Sequence, residues 1–134
     1  MGSDTGGAID LDVAARMFAA ESDVLAVYLL GSAASGRMRP DSDVDLAIMP
    51  EPGRSFDASR MIELAAEATL ELGRDVDPGV LSSRNLVYAR EALLTGVRIF
   101  SRDDFRADLS AATLLGLYDR FQAERREVLD AFTA

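Results

Sequence analysis

The run Val24–Leu30 (VLAVYLL) limits the possible folds of this chain more than any other stretch. It contains no charged residue, it is rich in aliphatic and β-branched side chains, and it is shorter than a typical helix. These properties predict a strand buried inside the protein, ended by Gly31-Ser32. Such a strand has to be covered, so the rest of the chain is expected to supply neighbouring strands and helices around it.

Helical spacing of apolar residues occurs in four other segments. The first is Asp10–Ser22. The second is Asp57–Leu72, with Asp57 as the expected N-cap and Gly73 as the expected stop. The third and fourth are Ser83–Thr95, closed by Gly96, and a long final helix that opens at Asp103 or Asp104.

Three more segments are predicted to be strands. Asp43–Met49 (DVDLAIM) alternates apolar and polar residues, which predicts a strand with one apolar face and one face carrying carboxylates. Arg74–Leu81 begins in the same way, but Pro78 cannot donate to a ladder, so this strand is an edge or ends there. Val97–Phe100 is a short strand. Between the first two strands we expect a short helix over residues 33–36 and a loop over residues 37–42.

The predicted order is therefore α-β-(loop)-β-α-β-α-β-α, a small mixed sheet flanked by helices in an α+β or mixed α/β domain. A length of 134 residues suits one domain, with residues 1–8 as a flexible leader. No apolar run approaches the roughly 18 residues that a membrane helix needs, and no signal pattern is visible at the start. We therefore expect a cytoplasmic protein.

The absence of cysteine and histidine narrows the possible chemistry. It excludes disulfides, thiolate zinc sites, cysteine nucleophiles and imidazole bases. Any catalysis has to use carboxylates, hydroxyls, Lys or Arg, and hard metal ions. The formal net charge of -9 repels phosphate backbones, so nucleic acid is not the expected partner. A basic protein, or a nucleotide screened by metal, fits better.

Two aspartates follow the Gly31-Ser32 turn after ten intervening residues. Asp43 and Asp45 are two positions apart on one strand, so their carboxylates point to the same side, with Cα atoms about 6.6 Å apart. Mg²⁺ takes one or two carboxylates together with phosphate oxygens and water. A second ion about 3.5–4 Å away is common in phosphoryl transfer, so these aspartates are candidate ligands for two Mg²⁺ ions.

The other half of the candidate site would bind phosphate. Gly31 lets the backbone approach a ligand closely, and Ser32 offers a hydroxyl and an N–H group. Arg37 and Arg39 lie within reach of a triphosphate, and Ser42 either organises the loop or contacts the ligand.

A third carboxylate is expected near the incoming nucleophile. Asp77 is the leading candidate, because it lies on a later strand whose polar face also carries Asp75. It would bind the second ion or accept the proton of an attacking hydroxyl. Asp75 is the alternative.

Gly31-Ser32, ten residues and then Asp43-Val44-Asp45-Leu46 resemble the GS-x10-DxD pattern of the DNA polymerase β-like nucleotidyltransferase superfamily. With the later RDVD segment and the helix that ends before VRIF, the chain from about Leu11 to Phe132 is similar to the minimal nucleotidyltransferases. These are the small antitoxin partners of HEPN-domain ribonuclease toxins. The resemblance implies a single nucleotidyltransferase domain over residues 9–134, with the polymerase β-like palm fold.

The resemblance also implies an activity. It indicates an enzyme that uses ATP and Mg²⁺ to transfer AMP to a tyrosine hydroxyl of a cognate HEPN toxin, with which it forms a hetero-oligomer. By position, Gly31 and Ser32 would hold the triphosphate, Asp43 and Asp45 the metals, and Asp77 would be the third carboxylate. Pro78-Gly79 departs from the usually apolar strand, which is why Asp75 stays open as a substitute.

Two other functions remain open from the sequence. One is an antitoxin that neutralises by steric binding, with a vestigial site, for which the acidic charge would complement a basic ribonuclease. The other is a nucleotidyltransferase acting on a small molecule such as an aminoglycoside, although the chain has no spare length for an acceptor-binding domain. Tyr28, Tyr88 and Tyr118 are most simply core or interface aromatics.

Overall fold

A four-stranded mixed sheet forms the centre of the computed structural model, which describes residues 10–31 and 43–133. The strands run in the order β3-β2-β1-β4 across the sheet. Their bounds are β1 Val24–Leu30, β2 Val44–Pro50, β3 Val76–Val80 and β4 Val97–Ser101. The helices are α1 Leu11–Ala19, α2 Ala58–Leu72, α3 Leu86–Thr95 and α4 Asp104–Thr133. The predicted element order and the mixed α+β class are confirmed. The leader and the segment expected over residues 33–42 lie outside the described residues.

Helix ends follow the capping residues of the sequence. The Asp10 side chain accepts hydrogen bonds from the backbone N–H groups of Asp12 and Val13, at the start of α1. Asp57 caps α2 in the same way through Ser59 N–H, and Gly73 ends it with φ of 71°, as predicted.

The sheet combines two pairing directions. β1 pairs antiparallel with both β2 and β4, whereas β2 pairs parallel with β3. β3 is therefore an edge strand, as Pro78 predicted, and its free side tolerates the missing N–H group. The parallel pairing of β2 with β3 decides which aspartates become neighbours.

Helices cover both faces of the sheet. On one face Phe18 of α1 and Leu64 of α2 pack against Val44, Leu46 and Ile48 of β2. On the other face α3 and α4 pack against a second cluster, which includes Ala47 and Met49 of the same strand. The predicted division of the β2 side chains between two faces is thus confirmed, with Asp45 on the side that α3 and α4 cover, but beyond Asp45 that side is also buried, at Ala47 and Met49.

The last helix is only partly used for packing. Ala107, Ala111 and Leu114 in its first half pack into the cluster beneath α3. Further along, α4 leaves large apolar side chains exposed, namely Phe121, Val128, Leu129 and Phe132. None of the helices described here has the length and apolar character required to cross a membrane.

Candidate active site

Two carboxylates from different strands meet at one end of the sheet. Asp45 of β2 stands in register with Asp77 of β3, and on its other side with Leu30 of β1. Neighbouring strands lie about 4.8 Å apart, so these two aspartates are adjacent across the parallel ladder. Residues far apart in sequence therefore form one acidic site, which only the strand order could create.

The electrostatics of Asp45 reflect this neighbourhood. Burial raises the pKa of its carboxyl above the usual value of 3.8, and the charges of Asp77 and Asp43 raise this pKa further. The ionised form of Asp45 is thus disfavoured by partial desolvation and by like charge. A cation at this point would relieve both effects.

Gly31 completes the edge of the site on the β1 side. Its φ of 66° lies in the left-handed region, and a Cβ there would come within 3.3 Å of Asp45 Oδ2. A glycine is favoured by both the backbone conformation and the closeness of the carboxylate. Gly31, the start of the expected phosphate-binding turn, therefore lies beside Asp45.

A cavity of about 270 Å³ opens beside these residues. Its lining consists of Leu30, Asp45, Asp77, Pro78, Gly79 and Tyr88. Tyr88 is contributed by α3, and sequence reasoning treated it as an ordinary core or interface aromatic. It does pack against the second core cluster, but it also lines the cavity, and its hydroxyl oxygen lies against Gly79.

Tyr88 can occupy this position because Gly79 has no side chain. A Cβ at Gly79 would lie 2.2 Å from the Tyr88 hydroxyl oxygen and 2.6 Å from Cζ, so the phenol occupies the space of a missing side chain. Burial raises the pKa of Tyr88, with smaller contributions from the charges of Asp45 and Asp77, so the phenol stays protonated at neutral pH. The signal in the sequence was the unusual Pro78-Gly79 pair.

The other predicted site residues divide into three groups. Asp43 is exposed just before β2, and its charge acts on Asp45. Both Asp77 and Asp75 are exposed, but Asp77 lies on β3 and lines the cavity, whereas Asp75 precedes β3 and does not line it. Four further candidates lie outside the described residues: Ser32, Arg37, Arg39 and Ser42.

The carboxylates of Asp45 and Asp77 are suitable ligands for Mg²⁺, but they do not form a complete metal site by themselves. Within residues 10–31 and 43–133, no three acidic side chains converge as a ready-made metal site. Mg²⁺ does not require such convergence, since it is commonly bound by one or two carboxylates with phosphate oxygens and water. The all-oxygen donors and the mutual repulsion of Asp45 and Asp77 fit that mode of binding.

A larger cavity of about 550 Å³ lies at the opposite ends of β2 and β3. Its lining includes the carboxylate of Glu51, which forms an ion pair with Arg106. The hydrogen bond from Arg106 lowers the pKa of Glu51, so this carboxylate already has a partner within the fold. The smaller acidic cavity is therefore the candidate active site.

Comparison with known proteins agrees with this choice of chemistry. The family model described as "Polymerase beta, Nucleotidyltransferase" matches residues 14–105. A curated relative, the protein adenylyltransferase MntA of Shewanella oneidensis, is 29% identical over 106 residues, covering 78% of this chain and 73% of the relative.

Solved structures share the fold over nearly the whole chain. A toxin-antitoxin structure with AMP-PNP superposes with a TM-score of 0.76 at 24% identity, covering 93% of this chain and 99% of that chain. A structure of the MntA-HepT toxin-antitoxin gives 0.70 at 22% identity, covering 92% and 97%. A structure of a tri-AMPylated Shewanella oneidensis HEPN toxin with its MNT antitoxin gives 0.70 at 22% identity, covering 92% and 96%.

Proposed function

Because this chain belongs to the polymerase beta nucleotidyltransferase family, we propose that it is a protein adenylyltransferase that transfers AMP from ATP to a tyrosine hydroxyl of a HEPN toxin and thereby acts as an antitoxin. The observation that carries the proposal is the in-register pair Asp45 and Asp77, with Gly31 against the same carboxylate. The relative named a protein adenylyltransferase and the complex with an AMPylated HEPN toxin support the choice of acceptor.

Each residue of the site has a proposed role. Gly31 and Ser32 bind the triphosphate, assisted by Arg37 and Ser42 from the sequence between β1 and β2. Asp43 and Asp45 on the β2 side, with Asp77 on β3, are the residues that would hold Mg²⁺. When bound there, two Mg²⁺ ions would neutralise phosphate charge and help activate the attacking oxygen.

The proposed reaction is a single displacement. The acceptor hydroxyl forms a bond to the α-phosphorus of ATP, the bond to the β-phosphate oxygen breaks, and pyrophosphate leaves. Asp77 accepts the proton of the attacking hydroxyl, because it is the carboxylate on the β3 side of the cavity, away from Gly31. Asp45 stands between the two, next to both the nucleotide end and the acceptor end.

The surface also supports a protein partner. Soluble domains rarely leave a row of large apolar side chains in water without a binding role. Phe121, Val128, Leu129 and Phe132 of α4 are 47%, 55%, 52% and 84% exposed. With a net charge of -9, a basic ribonuclease is the electrostatically complementary partner.

Intact-mass spectrometry of the toxin tests the proposal. The protein is incubated with a purified HEPN toxin, ATP and Mg²⁺, and the toxin should gain whole adenylate units. Asp45→Asn and Asp77→Asn should abolish the gain, whereas Asp75→Asn, an exposed carboxylate outside the cavity, should retain it.

A parallel assay of toxin ribonuclease activity separates transfer from steric neutralisation. If Asp45→Asn still neutralises the toxin fully while its mass is unchanged, binding alone explains the antitoxin effect. A toxin left unmodified by the wild-type protein would refute adenylyl transfer.

A further inference from the structure

One wall of the cavity beside Asp77 is formed by a helix, whereas the others are formed by strands. Five of its lining residues belong to strands or strand ends, and Tyr88 is supplied by α3. The ring lies on the backbone of β3 at Gly79, where a Cβ would come within 2.2 Å of the hydroxyl oxygen. The phenol therefore stands where a side chain of β3 would otherwise stand.

This position is on the acceptor side of the proposed site. Residues two apart on a strand point to the same face about 6.6 Å apart, so the phenol over Gly79 neighbours the Asp77 carboxylate. Gly31 approaches Asp45 from the opposite direction, at the end of β1. Across the sheet the order is thus Gly31, Asp45 and Asp77, and Tyr88 lies further along β3, over Gly79.

The chemistry of the lining suits a flat apolar group that ends in a hydroxyl. Leu30, Pro78 and the ring of Tyr88 supply the apolar side chains, and the polar side-chain groups are the two aspartates and the Tyr88 hydroxyl. Within residues 10–31 and 43–133 the Tyr88 hydroxyl has no hydrogen-bond partner. A volume of about 270 Å³ admits one aromatic side chain more readily than a multi-ring sugar.

We propose that Tyr88, held over Gly79, is a specificity-determining residue that packs against the aromatic ring of the acceptor and so selects tyrosine over aliphatic hydroxyls. This inference rests on the proposed adenylyl transfer. The acceptor ring packs against the Tyr88 face, which directs its hydroxyl towards Asp77. A serine or threonine hydroxyl on a short side chain makes no such contact and is placed less well.

The test compares two short basic peptides that differ only in Tyr or Ser at one position, used as acceptors with ATP and Mg²⁺. Pyrophosphate release gives kcat/KM for each peptide. We expect the wild-type protein to prefer the tyrosine peptide, and Tyr88→Leu to reduce this preference about tenfold, the scale of one aromatic pair. Tyr88→Phe keeps the ring and should stay within about twofold of the wild type.

Two further variants distinguish selection from general damage. Tyr118→Leu makes the same chemical change on α4, where the ring packs against Arg90 outside the cavity, and should leave the preference unchanged. Gly79→Ala forces the Tyr88 ring away from the strand and should reduce the preference as Tyr88→Leu does.

Several outcomes would overturn the inference. They are a wild-type protein that fails to favour the tyrosine peptide, an unchanged preference in Tyr88→Leu, or an equal loss in Tyr118→Leu. If the wild-type protein adenylylates the toxin but any of these results is found, only the role of Tyr88 fails. If it transfers AMP to neither toxin nor peptide, the proposed function fails as well.

Discussion

Replacing Asp77 by asparagine should abolish activity and yet make the protein more stable at neutral pH. Asp45 and Asp77 are in register on adjacent parallel strands, and the charge of Asp77 raises the pKa of Asp45. Two ionised carboxylates therefore repel each other in the folded protein, and they are far apart in the unfolded chain. The asparagine keeps the size of the side chain and removes one of the two charges.

The magnitude follows from the spacing. Two unit charges about 4 Å apart repel by about 1 kcal/mol in a water-like medium. Adjacent strands lie slightly further apart, about 4.8 Å, and solvent at the open cavity screens the pair. We therefore expect Asp77→Asn to raise the free energy of unfolding by about 0.5 kcal/mol at pH 7, measured by urea denaturation.

The repulsion also makes stability depend on pH in a definite direction. Because the folded pKa of Asp45 lies above its unfolded value of 3.8, the folded state binds more protons between the two values, and stability falls as pH rises through this window. As pH falls well below 3.8, Asp45 becomes protonated in both states, so the advantage of Asp77→Asn should shrink towards zero.

A matched control separates this effect from a general loss of negative charge. Asp75→Asn removes a charge two residues earlier, at an exposed position outside the cavity, and should change stability less than Asp77→Asn does. Repulsion between Asp45 and Asp77 is refuted if Asp77→Asn destabilises the protein at pH 7, or if the gain in unfolding free energy is the same at pH 7 and well below pH 3.8.

Two further predictions concern a backbone position and an ion pair. Gly31→Ala should lower the free energy of unfolding by about 1–2 kcal/mol, because the backbone there is left-handed. It should also impair AMP transfer, because the new Cβ crowds Asp45 Oδ2. Gly53→Ala is the control: φ is 78° with open space around it, so it should show a similar loss of stability with activity retained. The Glu51 pKa is lowered mainly by its hydrogen bond from Arg106, so this carboxylate stabilises the fold above its usual pKa of 4.5 and the contribution is lost as pH falls. Glu51→Gln should accordingly lower the thermal midpoint more at pH 7 than at pH 3; an equal loss at both values would contradict the ion-pair explanation.

The parts of the fold that depend on local signals were predictable from the sequence. The bounds of α2 were set by the Asp57 cap and by Gly73, and β1 was visible as an uninterrupted apolar run. The resemblance to minimal nucleotidyltransferases, drawn from the spacing of Gly31-Ser32 and Asp43-x-Asp45, is confirmed by the family match and by the relatives.

The pairing of elements was not predictable in the same way. Nothing local in the sequence specifies that β2 pairs with β3 in parallel, and this pairing is what sets Asp45 beside Asp77. Tyr88 was missed for a related reason, since an aromatic residue on an apolar helix looks like a core residue. Its place in the cavity depends on the missing side chain at Gly79, a contact between elements that only the tertiary structure contains.

Labelled ATP tests the central claim most directly. The wild-type protein and a HEPN toxin are incubated with Mg²⁺ and with ATP labelled at either the α- or the γ-phosphate. We predict that the α-label becomes covalently attached to the toxin in the wild-type reaction and not in the Asp45→Asn reaction, and that the γ-label is released as pyrophosphate. Attachment of the γ-label, or no attachment of either, would contradict AMP transfer at this site.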